Sequence, residues 1–195
     1  MRVLTAEEEI LYLKNASPLL RDVATVMLET GMRPGEVCCL RLSDVDLERR
    51  CVRVLAGKTV NASRFIPLTE RALTTMTRRA TEARMEWLFP CPFDVTKPVR
   101  EVRKAHDAAV RRSGIIPPFR LYDLRHTALS RMAMAGIDLA TLKEFAGHSQ
   151  IQMTMRYVHP TPEHKRNAIS RFESFMKIDT KPSADSPSKI AVLAS

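Results

Sequence analysis

A mainly helical domain carrying one β-hairpin is what this sequence predicts, and three observations carry that reading. Apolar residues return at three- and four-residue spacing in most segments between residues 6 and 176. Glycines and prolines fall where such segments start and stop. One stretch, residues 51–68, switches to the two-residue alternation of strands. At 195 residues the chain fits one domain able to bury its own core. A composition of 45% hydrophobic and 27% charged residues is that of a globular body. No repeat is visible at periods of about 20–50 residues, which argues against a solenoid.

Each element has its own local signal. Thr5 followed by Glu8 is a capping-box pattern, and the helix it opens runs to about residue 15 with Ile10, Leu11 and Leu13 as its expected apolar face. Pro18 suits a first helical turn, Leu19, Leu20, Val23, Val26, Met27 and Leu28 follow at helical spacing, and Gly31 can close the helix in a left-handed conformation. A short third helix is expected over 34–40. Residues 51–55 and 64–68 read as strands around a polar turn, a hairpin with Lys58 near its tip. Helical spacing returns over 69–84, breaks at the Pro-rich stretch 89–98, and resumes over 99–113. Beyond Pro117-Pro118, helices are expected over 121–135 closing at Gly136, over 139–145 closing at Gly147, and near 153–159. Pro162 opens a last one through about 176. The Ser-, Pro-, Lys- and Ala-rich end lacks a strong apolar period, so the chain divides into a domain at 1–177 and a flexible tail at 178–195.

Charge narrows the partners. With 31 Lys and Arg against 22 Asp and Glu, the net charge is +9, which points to a polyanion because cations that neutralise phosphates release counterions. Aromatic residues make up 6%, with no run of stacking side chains, which argues for duplex DNA over single-stranded RNA. Cys38, Cys39, Cys51 and Cys91 have no C-x-x-C spacing and read as reduced, mostly buried thiols. His106, His159 and His164 have no metal-ligand spacing, so no metal and no cofactor are expected. The first residues lack a secretory h-region, no apolar run has membrane-spanning length, and the expected location is cytoplasmic.

Three segments hold residues suited to anion chemistry. Thr30-Gly31-Met32-Arg33-Pro34-Gly35-Glu36-Val37 sets Arg33 in the bend between two helices, where it can fork donors onto a phosphate or pair with a carboxylate as a structural arginine. Leu121-Tyr122-Asp123-Leu124-Arg125-His126-Thr127 opens a helix, the end that favours anions. Phe145-Ala146-Gly147-His148-Ser149 puts His148 after a helix-ending glycine, with Tyr157 nine residues on. Alone, each segment has an ordinary structural reading.

Their order changes the weights. T-G-M-R-P-G-E-V, a Lys-bearing hairpin ending R-F-I-P-L, L-Y-D-L-R-H-T, and G-H-S-Q-I-Q-M-T-M-R-Y together resemble the catalytic domain of the tyrosine site-specific recombinases, the phage-integrase family, over about residues 4–175. The resemblance implies an α+β fold, mainly helical with a small antiparallel sheet. It implies strand exchange between duplex DNAs without metal or high-energy cofactor. Residue by residue, it makes Arg33 and Arg125 the phosphate clamp, two preorganised guanidiniums for the charge that develops on the non-bridging oxygens. Tyr157 is the implied nucleophile, forming a 3′-phosphotyrosyl link and freeing a 5′-hydroxyl. Of three tyrosines, only Tyr157 lies downstream of a G-H-S segment. Lys58 matches the hairpin lysine that serves as general acid, and His148 a hydrogen-bonding partner for the phosphate.

One position departs from the pattern. The family most often has His in H-x-x-R, and here the motif reads Tyr122-Asp123-Leu124-Arg125. A phenol near pKa 10 is a poor base at neutral pH, so Tyr122 is read as a clamp residue that donates a hydrogen bond, with reduced or context-dependent activity. His126 is expected on a different side of the helix. Glu36 is read as a structural residue of the third helix, with orientation of Arg33 as the alternative.

The resemblance also bears on assembly. The helix over 162–176 has basic residues (Lys165, Arg166) and apolar ones (Ile169, Phe172, Phe175, Met176), and either packs on its own domain or docks on a neighbouring subunit, as C-terminal segments do in the family's synaptic tetramers. A homotetramer on synapsed DNA and a monomer without DNA are expected. Two rivals stand beside the recombinase: a type IB topoisomerase, disfavoured by G-H-S and L-R-H-T, and a catalytically silent DNA-binding relative, which Tyr122 invites. Family members usually carry an N-terminal DNA-clamping domain ahead of the matched region, so this chain reads as a fragment or an unusually short protein with weak binding. Its affinity for duplex DNA is expected to fall steeply between low and high salt; a Kd that barely moves counts against phosphate-dominated contact.

Overall fold

The computed structural model describes residues 1–55, 63–158 and 162–179, and the chain divides into one compact unit over Met1–Val158 and a second beginning at His159. In the first unit, start and stop residues place most elements. Thr5 caps α1 (Ala6–Asn15): its hydroxyl accepts from the Glu8 amide at 3.2 Å, and the Glu8 carboxylate accepts from the Thr5 amide at 3.1 Å. α2 (Pro18–Thr30) starts on its proline and ends at Gly31 with φ +67°. α3 (Pro34–Cys38) is followed by a single 3-10 turn (Leu42–Asp44). β1 (Val45–Asp46), β2 (Cys51–Val54) and β3 (Arg64–Pro67) form an antiparallel sheet in that order.

Thr69 caps α4 (Glu70–Glu82), and β4 (Pro90–Cys91) and β5 (Asp94–Pro98) make a second, two-stranded ladder. Gly114 closes α5 (Arg103–Ser113). Then come α6 (Asp123–Met134), α7 (Leu139–Ala146) and α8 (Ile151–Met155). Asp138 caps α7 by accepting from the Ala140 and Thr141 amides, and Gly147 closes it at φ +61°. The second unit contributes α9 (Pro162–Asp179), on which Ile169, Phe172 and Phe175 share a stripe. Among the described residues, no helix is long and apolar enough to cross a membrane.

The core forms around α2, which packs on α4 and α6 and buries Leu20, Val23, Ala24, Val26 and Met27. α1 docks on α5 through Tyr12, whose hydroxyl lies 2.8 Å from His106 Nδ1; His106 Nε2 lies 3.0 Å from the Phe119 carbonyl. A carbonyl can only accept, so Nε2 carries the ring proton and Tyr12 donates to Nδ1. Two buried carboxylates cross-link the helices, each serving a pair of arginines. Glu9 on α1 binds Arg71 of α4 and Arg131 of α6, and Asp22 on α2 binds Arg78 and Arg79 of α4.

Several expectations change. α1 does not bury Ile10 and Leu11: Ile10 is 68% exposed, and the inward face is Glu9, Tyr12 and Ala16. The hairpin gains a third strand, β1, too short to show an alternation of its own. Ladder pairing occurs inside the Pro-rich stretch, with Pro90 opposite Pro98 at the ladder's end, where a missing amide costs least. Of the four thiols only Cys38 is fully buried; Cys39 is exposed, and Cys51 and Cys91 are half-buried. The hairpin tip with Lys58, and the tail from residue 180 on, lie outside the described residues.

Gly31 is a tight backbone position in this arrangement. A Cβ there would stand 2.8 Å from Leu129 Cδ2, in a left-handed backbone that L side chains disfavour. Gly31→Ala is expected to lower the unfolding free energy by about 1–3 kcal/mol, read as a fall in urea midpoint at unchanged m-value.

Candidate active site

Four elements converge here: α2 and α7 end, and α3 and α6 begin. Arg125 stands in the first turns of α6 and is fully buried, 0% exposed. Its Nη1 donates to the Gly31 carbonyl at 2.7 Å and its Nη2 to the Ala146 carbonyl at 2.6 Å. These are carbonyls at the C-terminal ends of α2 and α7, which lack partners within their helices and sit at the negative end of the macrodipole. Nη2 also lies 3.1 Å from His148 Nε2, and Nε has no partner among the described residues. Burial, with the nearby charge of Arg33, pushes the guanidinium below its ordinary pKa. Among the described residues no carboxylate pairs with it.

Arg33 opens α3. Its amide donates to Glu36 Oε2 and its Nη1 to Glu36 Oε1, both at 2.8 Å, while Nη2 donates to the Gly147 carbonyl at 3.1 Å. Glu36 therefore caps the helix and orients Arg33 at once. It also binds Arg64, whose Nη2 and Nη1 donate to its two oxygens at 2.7 and 3.2 Å. Burial alone would raise the Glu36 carboxyl, but the hydrogen bonds from Arg64 and Arg33 outweigh it and hold the pKa below the ordinary value. The sheet delivers Arg64: register pairs Val54 with Arg64 and Val52 with Ile66, and those four side chains share the buried face while Arg53 and Phe65 point out. Arg64 Nε donates to the Phe145 carbonyl at 2.9 Å, and its guanidinium fills the space where a Cβ on Gly147 would stand.

His148 follows Gly147 and is buried. Arg125 can only donate, so Nε2 is the acceptor, and the proton on Nδ1 is donated to Thr154 Oγ1 at 2.9 Å. Burial, reinforced by Arg125, Arg33, Arg156 and Arg64, pushes the imidazole pKa down to about 4. Both ring nitrogens are engaged within the protein, so His148 bears on an anion through Arg125. Arg125, Arg33, Arg156 and Arg64 are thus the cations that act on this ring.

Tyr157 lies just past α8 and is 4% exposed. Its ring stacks on His148, centroids 6.0 Å apart and planes within 7°. Burial raises its pKa, against the pull of Arg125 and Arg156. Its hydroxyl lies 2.8 Å from His126 Nδ1. That corrects the expectation for His126, which faces the site. Tyr122, 39% exposed, immediately precedes α6 with its ring edge-on to His126, centroids 5.0 Å apart, and its centroid 5.9 Å from the Arg125 guanidinium carbon.

The structure thus gathers Arg33, Tyr122, Arg125, His148 and Tyr157 in one place; Lys58 lies outside the described residues. It adds Glu36, Arg64, His126 and Thr154, of which the sequence reading placed only Glu36, in its lesser role. His126 had a signal: it is four residues from Tyr122 on one helix, so the two share a face. Arg64 had none, since a polar residue on the buried side of a strand is set by distant partners, and Thr154 stands out only once α8 is known to fold back onto His148.

Comparison with known proteins agrees with this geometry. The model of the phage integrase family matches residues 3–164. The chain is 34% identical over 167 residues to tyrosine recombinase XerC of Corynebacterium glutamicum, covering 80% of this chain and 52% of that protein. It is 28% identical to the integrase of Salmonella phage P22, covering 80% and 43%. It therefore spans about half the length of these curated relatives. Among solved structures, the catalytic domain of bacteriophage HP1 integrase superposes with TM-score 0.63 at 25% identity, covering 87% of this chain and 94% of that one. The Tn1549 transposon integrase has the same fold, with TM-score 0.73 at 23% identity over 88% of this chain and 67% of that one. Matched by the family's model over most of its length, this chain belongs to the phage integrase family.

Proposed function

We propose that residues 1–177 form the catalytic domain of a site-specific DNA recombinase or integrase, which cleaves and rejoins duplex DNA through a 3′-phosphotyrosyl link to Tyr157. The observation that carries this reading is Arg125: a fully buried guanidinium with an unpartnered Nε and no carboxylate among the described residues, close to a buried tyrosine hydroxyl. A buried cation left unpaired is costly unless an anion arrives, and a phosphodiester supplies one. Its non-bridging oxygens would take the free donors of Arg125 and Arg33, while Glu36 and His148 keep those guanidiniums aimed. Tyr157 Oη would attack phosphorus, the bond to the 5′-oxygen would break, and the phosphotyrosyl link would hold the energy for religation. Lys58 is the proposed general acid for the leaving oxygen. Tyr122 would donate a further hydrogen bond from the rim.

Duplex DNA as substrate is supported by the net charge of +9 and by relatives solved with it, the Tn1549 integrase with circular intermediate DNA and a λ integrase dimer on a core site. Assembly is proposed as a tetramer on synapsed DNA and a monomer without it.

The test is a library of duplexes with randomised flanks and one 5′-bridging phosphorothiolate, incubated in EDTA and screened for SDS-resistant adducts. Wild type is expected to form an adduct that Tyr157→Phe abolishes and that Arg125→Lys or Arg33→Lys slows by about 10²–10³-fold. DNA binding without any adduct would favour the silent relative, the reading that Tyr122 supports.

His148 gives a separate test. Its folded pKa, about 4, lies below the ordinary 6.5, so the unfolded chain takes up a proton first. The stability involved is present above pH 6.5 and lost as pH falls toward 4. His148→Gln is expected to flatten that part of the stability–pH curve; an unchanged slope would show that the ring titrates alike in the folded and unfolded chain.

A further inference from the structure

If Tyr157 is a nucleophile, its proton needs an acceptor, and the groups around its hydroxyl can be taken in turn. Tyr122, at the position where the resembled motif most often has histidine, is a phenol, a hydrogen-bond donor rather than a base. His148 is close, but its ring lies nearly parallel to that of Tyr157 with centroids 6.0 Å apart, and its two nitrogens are occupied by Arg125 and Thr154. Arg125 and Arg156 are cations. His126 remains.

We infer that His126 is the general base of this site: its Nδ1, 2.8 Å from Tyr157 Oη, takes the phenol proton as the oxygen attacks phosphorus. The inference rests on the reading of Tyr157 as nucleophile. Tyr157 donates to the Nδ1 lone pair, which leaves the ring proton on Nε2, a nitrogen with no protein partner among the described residues. In the step, the Oη–P bond forms as the P–O5′ bond breaks. The phenol proton passes to Nδ1, giving an imidazolium, and the 5′-oxygen leaves as a hydroxyl with a proton from the general acid. Religation returns the imidazolium proton to Oη.

The surroundings suit the task. The imidazole packs edge-on with the Tyr122 ring, centroids 5.0 Å apart, and tilted against the Tyr157 ring at 5.7 Å. Burial lowers the His126 pKa; Asp123 opposes this, while the N-terminal amino group, Arg120 and Arg125 add to it, so the ring is neutral and ready to accept at pH 7. The missing histidine of the motif is thereby replaced from one helical turn further along the same face, with Tyr122 as the wall that positions the substitute.

The test uses the duplex that yields the adduct. Its bridging phosphorothiolate leaves as a thiolate and needs no general acid, so the pH profile of single-turnover cleavage reports the base. His126→Asn keeps a hydrogen-bonding group near Oη without a proton affinity, and His126→Phe keeps the ring volume. Both are expected to slow adduct formation by about 10²–10⁴-fold near pH 7, at unchanged DNA affinity and melting temperature, with the deficit shrinking as pH rises. Incorporating 3,5-difluorotyrosine at position 157, a more acidic phenol, is expected to restore much of the His126→Asn rate. Cleavage by His126→Asn at the wild-type rate, or an equal loss at every pH without rescue, would overturn the inference. Absence of any adduct with wild type would instead remove the nucleophile reading and this inference with it.

Discussion

Everything in the site hangs on one buried cation gripped by the ends of two helices. Arg125 is charged at any pH a protein meets, yet it sits where no solvent reaches and no carboxylate pairs with it among the described residues. Its charge is met by the Gly31 and Ala146 carbonyls, the partial negative ends of α2 and α7. That compensates in part and leaves a positive potential directed at the cluster. It also fixes the architecture: α2 must end in a left-handed glycine at the right height, α7 must stop at Ala146, and α6 must enter between them.

The neighbouring groups refine that potential without cancelling it. Glu36 is divided between Arg33 and Arg64, so one negative charge orders two cations, and both are held by backbone carbonyls as well. His148, kept neutral by burial and by the arginines, contributes a lone pair to Arg125 and no charge of its own. Tyr157 and His126 then form a pair in which a buried phenol, itself hard to ionise, meets a neutral imidazole across 2.8 Å.

Much of this was legible in the residues. Thr5 with Glu8, Pro18, Gly31 and Gly147 mark helix ends by local chemistry, and local chemistry is what sequence encodes most directly. Arg33, Arg125, His148 and Tyr157 were found together because their motifs keep a fixed order. What stayed hidden depends on long-range partners. The inward face of α1 turns on Glu9, whose burial makes sense only with Arg71 and Arg131, 62 and 122 positions away. Arg64 lies inside because its strand's phase puts it beside Ile66, although Phe65 is the apolar residue. His126 turns away from its neighbour Arg125 in sequence but shares a helix face with Tyr122, one turn back, which brings it to the site.

Glu9, Asp22 and Glu36 each hold two arginines, and this sets an imbalance in how the fold tolerates change. Losing one arginine from such a triad leaves a simple ion pair, whereas losing the carboxylate strands two cations facing each other in a half-dry interior. In a chain where basic residues outnumber acidic ones, the scarce sign is the one that cannot be spared. Variation should therefore be tolerated better at Arg71, Arg78, Arg79 and Arg131 than at Glu9 and Asp22, the opposite of what a DNA-facing surface would lead one to watch.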